Sequence, residues 1–377
     1  MEWKEVDICQ LCDSVSETYK GNASEVVLIN TSDVLDGKCL NHEYVPNKKL
    51  KGQFKKTFRK GDILYSEIRP ANKRFCFVDF EPKDYIASTK LMVLRAHEDV
   101  DPQYLYQILR SNDTLTQLQM LAESRSGTFP QITYSELSNI MVSLPSQKAQ
   151  KNIVSILSSL DRKIELNNKI NADLEEMAQA IFKNWFVDFE PFKDGKFVDS
   201  ELGMIPEGWK VGCLGDLITI KYGKDHKKLE NGTFPVYGSG GFMRFVNSWL
   251  YDGESVLIPR KGTLDNIMYV CEKFWTVDTM FFSVPKMDYV MKYVYNYIKR
   301  FDFSKMNEGT SVPSNTAARL NKMPILIPTH EILEMYDETL CPIYNKRKMK
   351  DKESRILSLL RDTLLPRLMS GELEVPE

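Results

Sequence analysis

Cys9-x-x-Cys12, with Cys39 and His42 further along, is the nearest this chain comes to a metal-ligand set. The spacing is that of a zinc or redox pair, but a zinc ribbon needs a second CxxC and none follows, so the signal is weak. Asp62 with Glu81-x-Lys83 imitates the acid and acid-x-lysine arrangement through which nucleases hold Mg²⁺. Here Gly61 stands before the aspartate and Pro82 inside the triplet, and such triplets arise by chance in a charged chain. The other histidines, at 97, 226 and 330, form no HExxH. A methylase would need a glycine loop for its cofactor and an Asn/Asp-Pro-Pro-aromatic motif, and neither occurs. The string YGSGG at 237–241 lacks the strand-loop-helix setting of a nucleotide loop, and GxSxG and Walker A patterns are absent. No catalytic residue and no metal site is expected.

What remains is cationic. Lys48, Lys49, Lys51, Lys55, Lys56, Arg59 and Lys60 crowd into one stretch, although the net charge of the chain is only -2. Local basic patches on a near-neutral protein suit an anion such as nucleic acid. With 42% hydrophobic and 27% charged residues, the 377-residue chain has the composition of a globular protein of two or three domains. No apolar run reaches the roughly 18 residues that span a bilayer and no signal peptide opens the chain, so a cytoplasmic location is expected. Seven scattered cysteines argue against a disulfide framework.

The elements that must position those charges occur twice. MEWKEVDICQLCDS at the start answers GMIPEGWKVGCLGDL at 203–217, with Trp3 on Trp209 and Asp13 on Asp216. A shift of 183 residues carries Leu137 onto Leu320, Pro145 onto Pro328, Leu157 onto Leu340 and Ile181 onto Leu364 without a gap. Upstream, Tyr104-Leu105-Tyr106 meets Tyr293-Val294-Tyr295, and the Lys60–Leu64 run resembles Asp252–Leu257, but at larger shifts. The ends of the two copies are alike and their middles differ. Each begins as mixed strand and helix, with short β-rich runs such as SEVVLI, GDILYSEI and SVLIPRKG punctuated by Gly, Asn, Asp and Pro. Each then closes on SLP or LIP, and Ser146 or Thr329 is placed to cap a long helix.

In the first such helix Ile153, Leu157, Leu160, Ile164, Asn167, Asn171, Leu174, Ala178 and Ile181 recur at alternating four- and three-residue steps. That is a heptad seam with two asparagines at its centre, a polar insert of the kind that fixes register. From 147 to 184 it would span about 57 Å. Leu340, Leu357, Leu360 and Leu364 lie on the matching face of the second helix, which Pro342 and Pro366 are expected to kink. The reading is an α+β chain: two mixed α/β recognition domains separated by two long helices that form an antiparallel coiled coil. The segments are 1–145, 146–184 (helix), 185–205 (connector), 206–328, 329–370 (helix) and a tail at 371–377. Two heads without chemistry on a rigid spacer describe a reader, since two modules on one duplex face must lie about 34 Å, or a multiple, apart.

This layout resembles the DNA-specificity subunit of type I restriction-modification enzymes. The carrying stretches are GMIPEGWKVGCLGDL, WFVDFEPFKDGKFVDSELG at 185–203, the helix SLPSQKAQKNIVSILSSLDRKIELNNKINADLEEMAQAIF at 143–182 and LRDTLLPRLMSGEL at 360–373. The resemblance implies a non-catalytic subunit reading an asymmetric bipartite site in double-stranded DNA, one half-site per domain. Two methyltransferase subunits would dock on the helices and motor-nuclease subunits would join them. S-adenosylmethionine, Mg²⁺ and ATP would be bound by those partners, for adenine methylation or for cleavage. Within that reading the DNA-contact candidates are Lys55, Lys56, Arg59, Arg69, Lys73 and Arg74 in the first domain. In the second they are Lys221, Lys224, Lys227, Lys228, Arg260 and Lys261, with Thr128 and Thr310 on polar loops. The rival readings are a stand-alone Mg²⁺-dependent nuclease and a coiled-coil adaptor that binds no DNA.

Overall fold

In the computed structural model, residues 3–47, 52–125, 129–303 and 314–375 are described. The chain forms two compact units, residues 1–166 with 353–377, and residues 167–352. The units cut across both long helices, so each head is built together with a segment of each helix.

Both units open and close in the same way. In the first, the strand Lys4–Asp7 pairs antiparallel with Met141–Leu144; in the second, Lys210–Cys213 pairs antiparallel with Pro324–Ile327. The backbone N–H of Ile8 donates to Ile140 (3.1 Å) as that of Leu214 does to Met323 (2.9 Å). Short helices Tyr134–Ser138 and Ala317–Asn321 precede the closing strands, and the long helices Gln147–Phe186 and His330–Met369 follow them. Each of these elements sits 183 residues after its counterpart, because no insertion has separated the two copies from there on.

The middles are different. The first unit carries two four-stranded sheets, ordered Val45–Pro46, Glu25–Ile29, Tyr85–Ser88, Phe54–Lys56 and Cys12–Val15, Leu91–Ala96, Ile63–Ser66, Phe75–Phe77. The second carries one six-stranded sheet, ordered Ile218–Tyr222, Met280–Pro285, Tyr251–Pro259, Met268–Thr276, Phe234–Gly238, Gly241–Val246.

One helix in each head packs its tyrosines inward. Pro102–Arg110 starts on Asp101, whose carboxylate accepts from the backbone N–H groups of Gln103 (2.9 Å) and Tyr104 (3.1 Å), with Pro102 at the first helical position. Its counterpart Met291–Ile298 is buried along its whole length. That burial includes Lys292, whose ammonium bonds Glu254 (3.0 Å) and Asp337 (2.7 Å), and Asn296, whose amide donates to the hydroxyls of Tyr336 and Tyr344. Burial alone would pull the Lys292 ammonium down, but its two carboxylate partners outweigh it and hold the group above its ordinary range.

The long helices run antiparallel where they meet. In the first unit Asp161 pairs with Arg361 (2.9 Å) and Lys163 with Glu353 (3.5 Å). In the second, Asn171 donates to Asp351 (2.6 Å) and Arg347 pairs with Glu175 (2.5 Å). Ile153, Leu157, Asn167 and Leu340 of the heptad seam are fully buried, while Leu160, Ile164, Asn171, Leu174, Ile181, Leu357 and Leu364 are half-buried. Leu360 departs from the expected seam, standing 43% exposed. The adjacent inward position belongs to Arg361, held by Asp161, and the next turns bury Leu365 and Leu368 in the head's core instead. The second helix also continues through Pro342 and Pro366. Glu338 and Asp362, whose carbonyls lose a helical partner to those prolines, are both on the exposed side where water can serve them. Ser146 caps the first helix as expected, its hydroxyl accepting from Ala149 N–H (3.3 Å). Among the described residues no helix is long and apolar enough to cross a membrane.

Candidate nucleic-acid interface

The two suspected chemical sites are not assembled. Asp62, only 1% exposed, takes Arg95 in a bidentate pair at 2.8 Å through both nitrogens and also accepts the Arg59 backbone N–H. Its carboxylate is spent on structure, while Glu81 and Lys83 stand exposed in a turn. Cys12 is buried, and burial pushes its thiol up to about 12. Cys9 is exposed, the Cys39 thiol donates to the Asn41 carbonyl and the His42 ring bonds the Tyr85 hydroxyl. Among the described residues no group of His, Cys, Asp and Glu is placed to hold a metal ion.

The cations are arranged more purposefully. In the first unit the strand Ile63–Ser66 runs out into a basic lip, residues 67–74. The lip lies against the segment that leads to the closing helix: Ile68 bridges Gln131 antiparallel, Arg69 N–H donates to Pro130 (3.1 Å) and Ile132 N–H donates to Glu67 (2.8 Å). In the second unit the strand Tyr251–Pro259 runs out into Arg260-Lys261-Gly262. Lys261 bridges Ser314 antiparallel and Asn315 N–H donates to Arg260 (3.0 Å). These are the same contacts at equivalent places, since Gln131 and Ser314 are related by the 183-residue shift.

Superposing the contacts sets Arg69 on Gly262. Gly262 has φ +89°, and Arg69 has φ +46° in the left-handed region that an arginine enters only at a cost. Lys73 is left-handed too, at φ +53°, closing a tight turn over Pro70–Asn72. Non-glycine residues held in this region tend to gather at functional sites, where the surrounding bonds fix them. The upstream match at the larger shift (Leu64 on Leu257) does lead to this pairing, but an arginine gives no sign in sequence of standing where its counterpart is a glycine.

The structure sorts the sequence candidates. Arg69 and Lys73 stand exposed on the first lip, and Arg74 is partly engaged, donating to the Ser32 carbonyl (3.0 Å). Lys55 and Arg59 are exposed at the strand Phe54–Lys56 and the turn after it, in the other sheet. Lys56 is a correction: its ammonium is given to the carbonyls of Leu91 (2.8 Å) and Thr89 (3.3 Å), and burial lowers its pKa. It ties its strand to the turn and strand at 89–91. In the second unit Arg260 lies over the Tyr222 ring (5.7 Å), and Lys224 and Lys261 both bond the 276–279 turn through their backbones. Lys221, Lys224, Lys227, Lys228 and Lys261 are exposed. Tyr222, 54% exposed amid these cations, escaped the sequence reading; an aromatic between lysines at 221 and 224 was its only signal. Thr128 and Thr310 lie outside the described residues, as do Lys48, Lys49 and Lys51.

Known proteins resemble this chain along its length. The family model for the type I restriction modification DNA specificity domain matches residues 2–176 and 206–350. The specificity subunit of the type I restriction enzyme HindI from Haemophilus influenzae is 29% identical, over 99% of this chain and 100% of its own length. That of MjaIX from Methanocaldococcus jannaschii is 27% identical over 89% and 85%. The crystal structure of the type I restriction-modification S subunit from M. genitalium has the same fold, with a TM-score of 0.54 at 18% identity, covering 100% of this chain and 97% of that one. Two matched segments, one for each head with its helix, take in most of the sequence, and the chain belongs to the DNA-specificity subunits of type I restriction-modification systems.

Proposed function

We propose that this chain reads a bipartite, asymmetric DNA site, each head taking one half-site, and that it performs no chemistry itself. The observation that carries the reading is the basic lip, built by the same backbone contacts in two heads whose sheets otherwise differ. Equivalent lips would meet equivalent phosphates, while unlike sheets would meet unlike bases, because phosphate contacts set register and base contacts set sequence. Methyltransferase subunits dock on the long helices, where Leu166, Met177, Met349, Ile356 and Leu359 are each at least half exposed to water. Motor-nuclease subunits join that core in the cytoplasm. S-adenosylmethionine, Mg²⁺ and ATP act on those partners, for adenine methylation or for cleavage. The consumed carboxylate of Asp62 speaks against a nuclease in this chain.

The test is to map methylated adenines in the DNA of a host that carries the whole complex. A single two-part motif is expected, and exchanging one head for a relative's should change one part only. Methylation or cleavage by this chain without partner proteins would overturn the reading.

A further inference from the structure

We propose that the hairpin formed by Phe234–Gly238 and Gly241–Val246 is an apolar wedge that enters the minor groove of bound DNA and unstacks one base step. The proposal rests on the DNA-reading function above. Gly241–Val246 is the outermost strand of the six-stranded sheet. Its register slips: Tyr237 pairs with Phe242 and Val236 with Arg244, which leaves Met243 as the extra residue of a bulge. Bulges re-aim side chains. Here Phe242 and Phe245 come to one face, their ring centroids 4.8 Å apart. The two rings are 42% and 38% exposed, and Met243 is 51% exposed.

Cations border this apolar strip on both flanks. On one, Arg244 straps down the 226–229 segment, donating to the His226 ring (3.2 Å) and to the carbonyls of His226 (2.6 Å) and Leu229 (2.9 Å). That leaves Lys227 and Lys228 exposed beside the strand. The acids of the segment are occupied locally, Asp225 by the Lys227 N–H (3.0 Å) and Glu230 by the Asn247 amide (3.2 Å). On the other flank Asn266 donates to the Ser239 carbonyl (2.9 Å), and a Cβ on Gly262 would lie 2.5 Å from the Ser239 hydroxyl. The hairpin turn is therefore pressed against the basic lip. An apolar strip between two cationic borders is complementary to a duplex, with phosphates on its rims and stacked bases within. Phe and Met are among the side chains that wedge between base steps from the minor groove, repaid by the added contact.

The experiment uses the whole complex on a duplex carrying its methylation motif, with 2-aminopurine placed in turn along the half-site. Apart from the target adenine, which a methyltransferase turns out of the stack by itself, wild type should raise the fluorescence at one further step. Phe242→Ser with Phe245→Ser should abolish the rise and weaken binding about tenfold, while the salt dependence of binding stays the same. Phe242→Leu with Phe245→Leu should keep both. Lys227→Ala with Lys228→Ala should keep the fluorescence rise and flatten the salt slope by about 1.8. Unchanged binding and fluorescence in the double serine variant would overturn the wedge and leave the DNA-reading function standing. Loss of subunit assembly in that variant would also overturn it, marking the strip as a protein contact. A wild-type complex with no preferred sequence would defeat the DNA-reading function itself.

Discussion

The Tyr293 hydroxyl donates to the Leu326 carbonyl at 2.6 Å, and in the other unit Tyr104 makes the same bond to Ser143 at 3.0 Å. In each head this bond ties the buried helix to the closing strand, so the repeat extends to individual side chains. Tyr104→Phe and Tyr293→Phe should each cost about 1 kcal/mol, read by urea denaturation of the full chain. An unchanged midpoint in either would mean that the bond is not a shared fastening.

Asp62→Ala should be far more damaging. It leaves the Arg95 guanidinium, 19% exposed, with only Glu17 at 2.9 Å. Breaking a buried pair in this way costs about 3–5 kcal/mol. Thermal unfolding of the variant measures it, and a neutral result would return Asp62 to the pool of candidate metal ligands.

Arg69→Gly separates binding from folding. Glycine relieves a left-handed arginine, so the melting temperature should hold or rise, whereas Gly262→Ala should lower stability by about 1–2 kcal/mol. DNA binding should nevertheless weaken in Arg69→Gly, with a shallower salt dependence in a filter-binding or anisotropy titration. Full affinity would remove Arg69 from the interface.

How much of this was readable from sequence follows from where the repeat stays in register. From Leu137 onward one shift carries every element, so both closing strands and both long helices were legible. Upstream, insertions in the heads broke the register, so the match of Leu64 on Leu257 stood alone, and the bridges Ile68–Gln131 and Lys261–Ser314 establish that the two lips are equivalent. Periodicity found the seam but misplaced Leu360, because spacing alone does not reveal that Asp161 draws Arg361 inward. Charge counting proposed Lys56, which the fold spends on two carbonyls.

Asn167 is fully buried, and neither its amide nitrogen nor its oxygen has a hydrogen-bond partner among the described residues. Asn167→Leu should therefore stabilise the free chain by about 1–3 kcal/mol in calorimetry. A loss of stability would show that the amide is satisfied by water and is needed there.

Leu359→Glu with Leu360→Glu alters residues that are 69% and 43% exposed, so the fold should survive. If partner helices cover this stretch, co-purification with the methyltransferase subunit should fall sharply while circular dichroism stays unchanged. Retained co-purification would place the docking surface elsewhere.

The first head owes part of its interior to residues far along the chain. Leu365, Leu368 and Val375 sit in its core, and Gly371 lies so close to Trp3 that a Cβ there would come within 2.5 Å of the indole nitrogen. A ribosome translating this message thus releases the opening domain long before the pieces that complete it exist. The nascent amino-terminal half must wait, part-built, until residues 365–375 emerge.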